Sequence, residues 1–309
     1  MAPHVGNLKR LNHANQDWHT TCDLGGMTNQ APLQSNALFT KNIQGHDFPT
    51  LGFGTFELSG ETCRKAVAKA LEVGYRHIDT ARMYENEKEV GLGMRDSGLD
   101  RKDFFVTSKV WWEDLSPETI RSEVDASLEA LRTDYLDLVL IHWPNPDYSL
   151  RDTIVTLKEL KDAGKIKLYG VSNFTPDLFH EAIGYGDIFA NQVEYHPLLG
   201  QQRLLDLIRD LDRALIAYAP LAQGAAIGYP ELEDIGKKHG KSSEQVALRW
   251  LIEQDNVLAI PRSSNPEHIE SNFDIFDFEL DEADRERIAD LPKDQRQIDP
   301  DFAPDWEND

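Results

Sequence analysis

The stretch LDLVLIHWPNPDYSLRDTIVTLKELKDAGKIKLYGVSN, residues 136–173, decides the fold. It opens with an apolar strand at Leu136–His142 and closes with a second strand at Leu168–Ser172. Between them, Thr153–Ala163 has helical period, and Ala163-Gly164-Lys165 is a typical helix stop. A strand, a helix and a further strand in this order predict parallel pairing of the two strands.

The same alternation continues along most of the chain. The other predicted strands are Leu51–Thr55, His77–Thr80, Phe104–Lys109, Asn191–Tyr195, Leu215–Tyr218 and Val257–Ile260. Helical period also marks Thr62–Glu72, Pro117–Leu131, Gln202–Asp210 and Ser243–Ile252. Eight strand–helix units favour a closed barrel over an open sheet, so we expect an α/β protein with a (β/α)8 TIM barrel. Gly52-Phe53-Gly54 is too short for the GxGxxG fingerprint of a Rossmann fold.

Composition divides the chain into three expected segments. Residues 1–37 are rich in Asn, Gln, His and Thr without apolar period, which predicts a disordered tail. Met27 is an alternative native start within this tail. Residues 38–292 form the predicted barrel. Residues 293–309 are acidic and contain proline, and we expect a loose C-terminal tail.

The charge of the chain limits its partners. The 309 residues carry a net charge of -22, from 54 acidic and 32 basic residues. This balance argues against binding to nucleic acids or anionic membranes, because a protein that binds either of them needs a basic surface. An ordinary acidic surface and adaptation to a salty cytoplasm both explain the charge. Cys22 and Cys63 have no metal-ligand spacing, so we expect no metal site and a reducing, cytoplasmic setting.

Polar side chains lie where predicted strands end. Asp79, Lys109 and His142 close three strands, and Tyr84 follows Asp79 in the next loop. Alone, each has an ordinary structural explanation, but such a barrel brings its strand ends to one rim, where catalytic groups stand. A phenol is a poor acid at neutral pH, and a nearby ammonium lowers its pKa. Lys109, held by Asp79, would thus tune Tyr84 as a proton donor, while His142 binds a carbonyl oxygen.

Several longer motifs resemble the aldo-keto reductase family, in particular its diketogluconate-reductase-like members from bacteria and archaea. The resemblance extends from about Phe48 to Glu279. The segments that carry it are GYRHIDTA (74–81), YENE (84–87), SKVW (108–111), LVLIHWP (138–144), GVSNF (170–174) and NQVEYHP (191–197).

The resemblance implies a nicotinamide-dependent carbonyl reductase, usually a monomer, with a β-hairpin at Leu38–His46 closing the barrel bottom. It implies a catalytic tetrad, matched by Asp79, Tyr84, Lys109 and His142. The histidine favours carbonyl reduction over the steroid double-bond reduction of members that carry Glu there. Cofactor contacts are implied for Thr55, Ser172, Asn173, Gln192, Tyr218 and Leu221. Phe56 and Trp111 match the substrate pocket, and for Trp112 pocket and core roles stay open.

The loop after the last strand bears on cofactor choice. In the resembling family it holds the 2′-phosphate of NADP, and here Arg262 and Ser263 keep a cation and a hydroxyl. Asn272 matches a residue near the adenine. His268 replaces an arginine and is only partly charged at neutral pH, while Glu267 adds negative charge. We expect a weakened preference for NADP(H), with some use of NAD(H).

The leading hypothesis is a reductase of small aldehydes, ketones or sugar-derived dicarbonyls. One alternative is an alcohol or sugar dehydrogenase that works in the oxidative direction. Another is a regulatory barrel that binds the cofactor but turns over little, which the intact tetrad disfavours. The chain has only a short C-terminal loop, which predicts an open pocket.

Overall fold

A computed structural model describes residues 39–306 of the chain. The predicted tail of residues 1–37, with Met27, lies outside these residues. The described chain opens with an antiparallel hairpin of β1 (Thr40–Ile43) and β2 (His46–Pro49). Its turn residues Gln44 and Gly45 both have positive φ, at 53° and 77°, as in the two-residue turns that suit antiparallel strands. The hairpin begins and ends a few residues later than the sequence predicts.

Eight parallel strands follow, and all eight were predicted to within two residues. They are β3 (Phe53–Gly54), β4 (His77–Asp79), β5 (Phe105–Val110), β6 (Leu136–Ile141), β7 (Ile166–Ser172), β8 (Ala190–Glu194), β9 (Ala214–Tyr218) and β10 (Val257–Ala259). Each strand pairs with the next in chain order. Backbone hydrogen bonds between the last strand and the segment around the first one close the sheet, since Gly52 N donates to Ala259 O (2.8 Å) and Ala259 N to Thr50 O (2.9 Å). The expected (β/α)8 barrel is confirmed.

Helices surround the strands. They are α1 (Gly60–Val73), α2 (Glu87–Asp96), α3 (Pro117–Leu131), α4 (Leu150–Asp162), α5 (Pro176–Ile183), α6 (Gln202–Asp210), α7 (Pro230–His239), α8 (Ser243–Glu253), α9 (Pro266–Phe273) and α10 (Glu282–Ala289). Side-chain caps fix where several begin, because the first turn of a helix leaves its N–H groups unpaired. Ser116 Oγ accepts from Thr119 N at the start of α3, and Ser242 and Gln245 form a capping box at α8. After α4, Gly164 takes a φ of +78° that stops the helix as predicted.

Alternate positions of the strands build two cores. Leu138, Leu140 and Ile216 belong to a core inside the barrel, together with Ile43 and Phe48 of the hairpin. The intervening strand positions pack against the helices in a larger outer core. The hairpin thus packs against the interior of the barrel, so that the polar strand ends on the other side carry the site. No helix among the described residues is long and apolar enough to cross a membrane.

The segment after α10 corrects one expectation. Residues 293–306 contain no helix, but they are not loose where the structure describes them. Gln295 N donates to Leu198 O (3.0 Å), and the backbone N–H groups of Gln297 and Ile298 donate to the Glu194 carboxylate. Phe302 then packs among tryptophans near the strand ends. Acidic composition predicted solvation, whereas a buried carboxylate and an aromatic cluster more than 100 residues away fix this segment.

Candidate active site

The predicted catalytic residues meet at the C-terminal ends of β4, β5 and β6. Lys109 Nζ lies 2.5 Å from Asp79 Oδ1, 3.0 Å from the carbonyl oxygen of Thr80 and 3.2 Å from Tyr84 Oη. Lys109 and Asp79 are buried, and Tyr84 closes a short 3₁₀ turn at Arg82–Tyr84. The ammonium therefore connects a carboxylate to the phenol, as the sequence predicts.

The protonation of this group differs from expectation in one respect. Burial raises the pKa of Tyr84, and the charge of Lys109 offsets only part of this rise. The pKa of the phenol therefore remains above its usual value. Burial alone would lower the pKa of Lys109, but Asp79 and Tyr84 raise it above its ordinary value. Lys109 is thus a cation and Tyr84 a neutral phenol at neutral pH. The predicted lowering of the Tyr84 pKa by Lys109 exists but is outweighed by desolvation.

His142 is set to donate a hydrogen bond rather than a proton. Burial, followed by the charge of Lys109, lowers the pKa of His142 well below its usual range, so the ring is neutral. Its Nδ1 is buried without a hydrogen-bond partner among the described residues. A buried donor without partner is costly, which favours the tautomer with the proton on Nε2. The ring lies 5.6 Å from that of Tyr84, so Nε2 and the phenol can address one substrate oxygen.

Amide and hydroxyl groups line the neighbouring ends of β7, β8 and β9. Asn173 Nδ2 donates to His142 O (2.9 Å) and to Ser172 Oγ (3.1 Å), while Tyr218 Oη donates to Asn173 Oδ1 (2.8 Å). Gln192 Nε2 donates to Asp79 Oδ2 (2.7 Å), which ties this group to the catalytic cluster. Such a set of amide donors and acceptors fits the carboxamide of a nicotinamide. The structure brings together the three residues predicted to contact the carboxamide and Tyr218, which was predicted to stack under the ring.

The other predicted cofactor residues continue around the rim. Thr55 is buried and donates from Oγ1 to Asp79 O (3.0 Å). A Cβ on neighbouring Gly54 would lie 3.1 Å from the carbonyl oxygen of Ile260, so backbone approaches backbone closely here. Leu221 lies in the loop after β9. These groups therefore lie at the same end of the barrel as the catalytic cluster.

The loop after β10 leads directly into α9. Arg262 and Ser263 precede the helix, His268 is exposed on it, and Asn272 is buried near its end. A cation at the start of a helix suits an anionic group, because the first N–H groups are unpaired. Arg262 is engaged, however, with Glu57, whose Oε2 lies 2.6 Å from its Nη2. Glu57 was not among the predicted site residues.

Comparison with known proteins agrees with this geometry. Residues 50–293 match the aldo/keto reductase family. The chain belongs to the aldo/keto reductase family. It is 43% identical over 255 residues to a glyoxal reductase of Bacillus subtilis, covering 82% of this chain and 92% of that protein. A morphine 6-dehydrogenase of Pseudomonas putida is 39% identical over 267 residues, with 80% and 88% coverage. A crystal structure assigned as a 2,5-diketo-D-gluconic acid reductase B has a TM-score of 0.85 at 39% identity, covering 87% and 97%.

Aromatic rings wall the site of this aldo/keto reductase. The ring of Phe56 lies 5.1 Å from that of Tyr84, and the ring of Trp111 lies 5.2 Å from that of His142. Both were predicted as substrate-pocket residues, and the structure places them beside the catalytic cluster. Phe302 stacks on Trp112 at 4.5 Å and 12°, and its ring also meets Trp111 edge-on at 5.7 Å.

Sequence reasoning missed Phe302 and its second edge contact, Trp143, at 5.4 Å. The signal for Phe302 was an aromatic residue in an otherwise acidic, proline-containing stretch. The expected open pocket is therefore walled on this side. Beyond Phe302 lies a cleft of about 650 Å³, also bordered by Trp112, Pro144 and Tyr148.

Proposed function

We propose that this aldo/keto reductase reduces aldehydes, ketones or sugar-derived dicarbonyls to alcohols, with Tyr84 as the proton donor. The observation that carries the proposal is the position of Lys109 Nζ, in contact with both Asp79 and Tyr84 Oη. The relatives named as glyoxal and diketogluconic acid reductases support dicarbonyl substrates.

Each catalytic side chain has a distinct part in this proposal. Tyr84 transfers its hydroxyl proton to the carbonyl oxygen as negative charge develops there. Lys109 stabilises the resulting phenolate, and Asp79 keeps Lys109 charged and fixed in position. His142, neutral and protonated on Nε2, donates a hydrogen bond that orients the carbonyl and stabilises the developing alkoxide.

A nicotinamide cofactor would supply the hydride. Ser172, Asn173 and Gln192 would hold its carboxamide, and Tyr218 would pack beneath the ring. Thr55 and Leu221 would border the remainder of the molecule. The support for this assignment is the amide-rich donor set beside the catalytic cluster.

We propose a preference for NADP(H) over NAD(H), with Arg262, Ser263 and His268 at the 2′-phosphate and Asn272 near the adenine. Arg262 offers a planar, permanently charged donor that can bind phosphate bidentately. The ion pair with Glu57 competes for that donor, which supports a weak preference.

The protonation state of Tyr84 favours the reductive direction. Burial keeps the phenol protonated through neutral pH, as a proton donor requires. Oxidation of an alcohol, as in the relative named a morphine dehydrogenase, would need the phenolate instead.

We also propose a monomeric, cytoplasmic enzyme. The buried free thiol of Cys63 is consistent with a reducing setting.

Replacement of the phenol tests the proposal. Tyr84→Phe should lower kcat for aldehyde reduction by roughly 10²- to 10⁴-fold, because general acid catalysis is lost. The Kd for NADPH should change little, since the ring is retained. Tyr185→Phe, which alters an exposed tyrosine on the outer surface, is the matched control and should keep full activity. Near wild-type kcat in Tyr84→Phe would show that another group donates the proton.

A further inference from the structure

Glu194, the last residue of β8, is a fully buried carboxylate outside the catalytic cluster. No lysine or arginine pairs with it among the described residues. Instead, Oε1 accepts from Gln297 N (2.7 Å) and His196 Nε2 (2.9 Å), and Oε2 accepts from Ile298 N (2.9 Å). Burying a carboxylate is costly unless hydrogen bonds satisfy it, so these three donors are what makes the position tolerable.

The tautomer of His196 supports this arrangement. Leu198 N donates to His196 Nδ1 (3.3 Å), so Nδ1 is an acceptor and Nε2 carries the proton that faces Glu194. The histidine is fully buried and lies between β8 and the following turn. Glu194 is therefore oriented by its own neighbours in sequence, and its remaining acceptor capacity is directed to residues 297 and 298.

Those two residues begin the segment that walls the substrate side of the site. Four residues beyond Ile298, Phe302 stacks on Trp112 and meets Trp111 and Trp143 edge-on. Trp111 in turn contacts the His142 ring. A short path thus leads from the Glu194 carboxylate, through a few residues of backbone, to the wall beside the reacting carbonyl.

The start of the segment has its own backbone bonds to the barrel, since Gln295 N donates to Leu198 O (3.0 Å) and Gly200 N donates to Lys293 O (3.0 Å). Beyond Ile298, the segment is held by contacts within itself and with this wall. Ala303 N donates to Pro300 O (2.8 Å), and Trp306 Nε1 donates to Asp299 Oδ1 (3.0 Å). The guanidinium of Arg296 lies 3.9 Å over the Trp306 ring. These contacts shape the residues after Ile298, and the two backbone bonds to Glu194 attach this part of the segment to the barrel.

We propose that Glu194 is a positioning residue for the substrate pocket: it anchors Gln297 and Ile298 and so places Phe302 over Trp111 and Trp112. The inference rests on the proposed function, since Phe302 matters only if the carbonyl binds at Tyr84 and His142. Glu194 thereby sets the fit for substrates whose bulk extends beyond the carbonyl.

The test is Glu194→Gln, which keeps the size of the side chain but places an amide donor against a backbone N–H group. A charged hydrogen bond is worth more than a neutral one, so the anchored segment should loosen. KM for a bulky aldehyde such as 2-naphthaldehyde should rise about tenfold, equivalent to about 1.4 kcal/mol. KM for glyoxal, which has no bulk beyond its two carbonyl groups, should rise far less, and the Kd for NADPH should stay unchanged.

A second readout does not depend on turnover. Arg296 lies half-buried beside the anchor, so trypsin should cut after it slowly in the wild type and much faster in Glu194→Gln. Glu194→Asp keeps the charge and should recover part of the protection. Phe302→Ala should reproduce the KM pattern without exposing Arg296. Asp137→Asn is a control for the loss of a buried carboxylate far from this segment, because Asp137 also accepts from a backbone N–H group, that of Val106. Unlike Glu194, Asp137 pairs with Arg101 and Lys167, and its variant should leave the KM ratio and the protection of Arg296 unchanged.

Opposite outcomes separate the two proposals. Equal KM changes for both aldehydes in Glu194→Gln, or an unchanged rate of trypsin cleavage after Arg296, would show that Glu194 does not anchor the segment. An unchanged KM for 2-naphthaldehyde in Phe302→Ala would overturn the role of the wall. If the wild-type protein reduces neither aldehyde, the proposed function fails, while the proteolysis still decides whether Glu194 holds the segment.

Discussion

Glu57 is expected to weaken the binding of a 2′-phosphate at Arg262. The guanidinium donates to Glu57 Oε2 (2.6 Å) and to the carbonyl oxygen of Phe56 (2.9 Å). A phosphate that binds Arg262 bidentately needs N–H groups that this ion pair occupies, and the carboxylate would repel the dianion. Glu57→Gln removes the charge and keeps the size, so it should raise selectivity for NADPH over NADH.

Glu57→Gln and Arg262→Ala should change NADPH binding in opposite directions and by different amounts. Both side chains of the pair are substantially exposed, at 39% and 65%. Exposed pairs contribute about 0.2–1 kcal/mol, so Glu57→Gln should tighten NADPH binding roughly 1.4- to 5-fold. Arg262→Ala removes charged hydrogen bonds worth about 1.5–3 kcal/mol and should weaken NADPH binding roughly 10- to 160-fold. NADH, which lacks the phosphate, should respond little to either change.

The protein is titrated with each cofactor at low salt, and binding is monitored by the quenching of tryptophan fluorescence. The kcat/KM value is measured with NADPH and with NADH. Glu159→Gln is the matched control, because its pair with Arg121 has the same 2.6 Å separation and comparable exposure but joins α3 and α4. Glu159→Gln should leave the ratio of kcat/KM with NADPH to kcat/KM with NADH unchanged. An unchanged or smaller ratio in Glu57→Gln, or equal losses of both cofactors in Arg262→Ala, would refute the assignment of the phosphate to this loop.

Two further predictions concern stability. Burial lowers the pKa of His77 to about 4, from an ordinary pKa of 6.5. Between these two pH values, His77 is protonated in the unfolded chain but neutral in the folded chain. Stability is then present above pH 6.5 and is lost as pH falls toward 4, by about 2 kcal/mol at pH 5. Urea unfolding at pH 7 and 5 should show a smaller loss in His77→Gln, and equal losses would contradict this origin. The net charge of -22 predicts a thermal midpoint that rises as NaCl is added to 1 M, because salt screens self-repulsion; a midpoint highest in dilute buffer would speak for an ordinary acidic surface.

Local sequence was sufficient wherever the deciding interactions are local. The strands are short apolar runs between polar loops, which is how strands buried on both faces read. Helix α3 begins at Pro117 and ends at Leu131 as predicted, since Ser116 supplies the cap at its start. The meeting of Asp79 and Lys109 also follows from sequence, because parallel strands of a barrel end at one rim.

Features that depend on distant parts of the chain could not be found in the same way. Phe302 has no periodic neighbours, and its place depends on Glu194 and on tryptophans far away in sequence. The pKa of Tyr84 depends on how deeply the hydroxyl is buried, which residue types do not reveal. The pairing of Arg262 with Glu57 joins the loops after the last and the first strand, which become neighbours only when the barrel closes.

The strand period of two links the interior of the barrel to its chemistry. On β6, Leu138 and Leu140 belong to the inner core, and His142 continues the same face two residues later at the rim. On β8 the same series contains Gln192, which contacts the catalytic carboxylate, and then Glu194. Continuing each inward series one step past the predicted site residues would therefore have selected Glu194 from sequence. It also follows that a one-residue shift in a strand would turn a catalytic side chain toward the helices, so the packing of the barrel interior fixes the register on which the site depends.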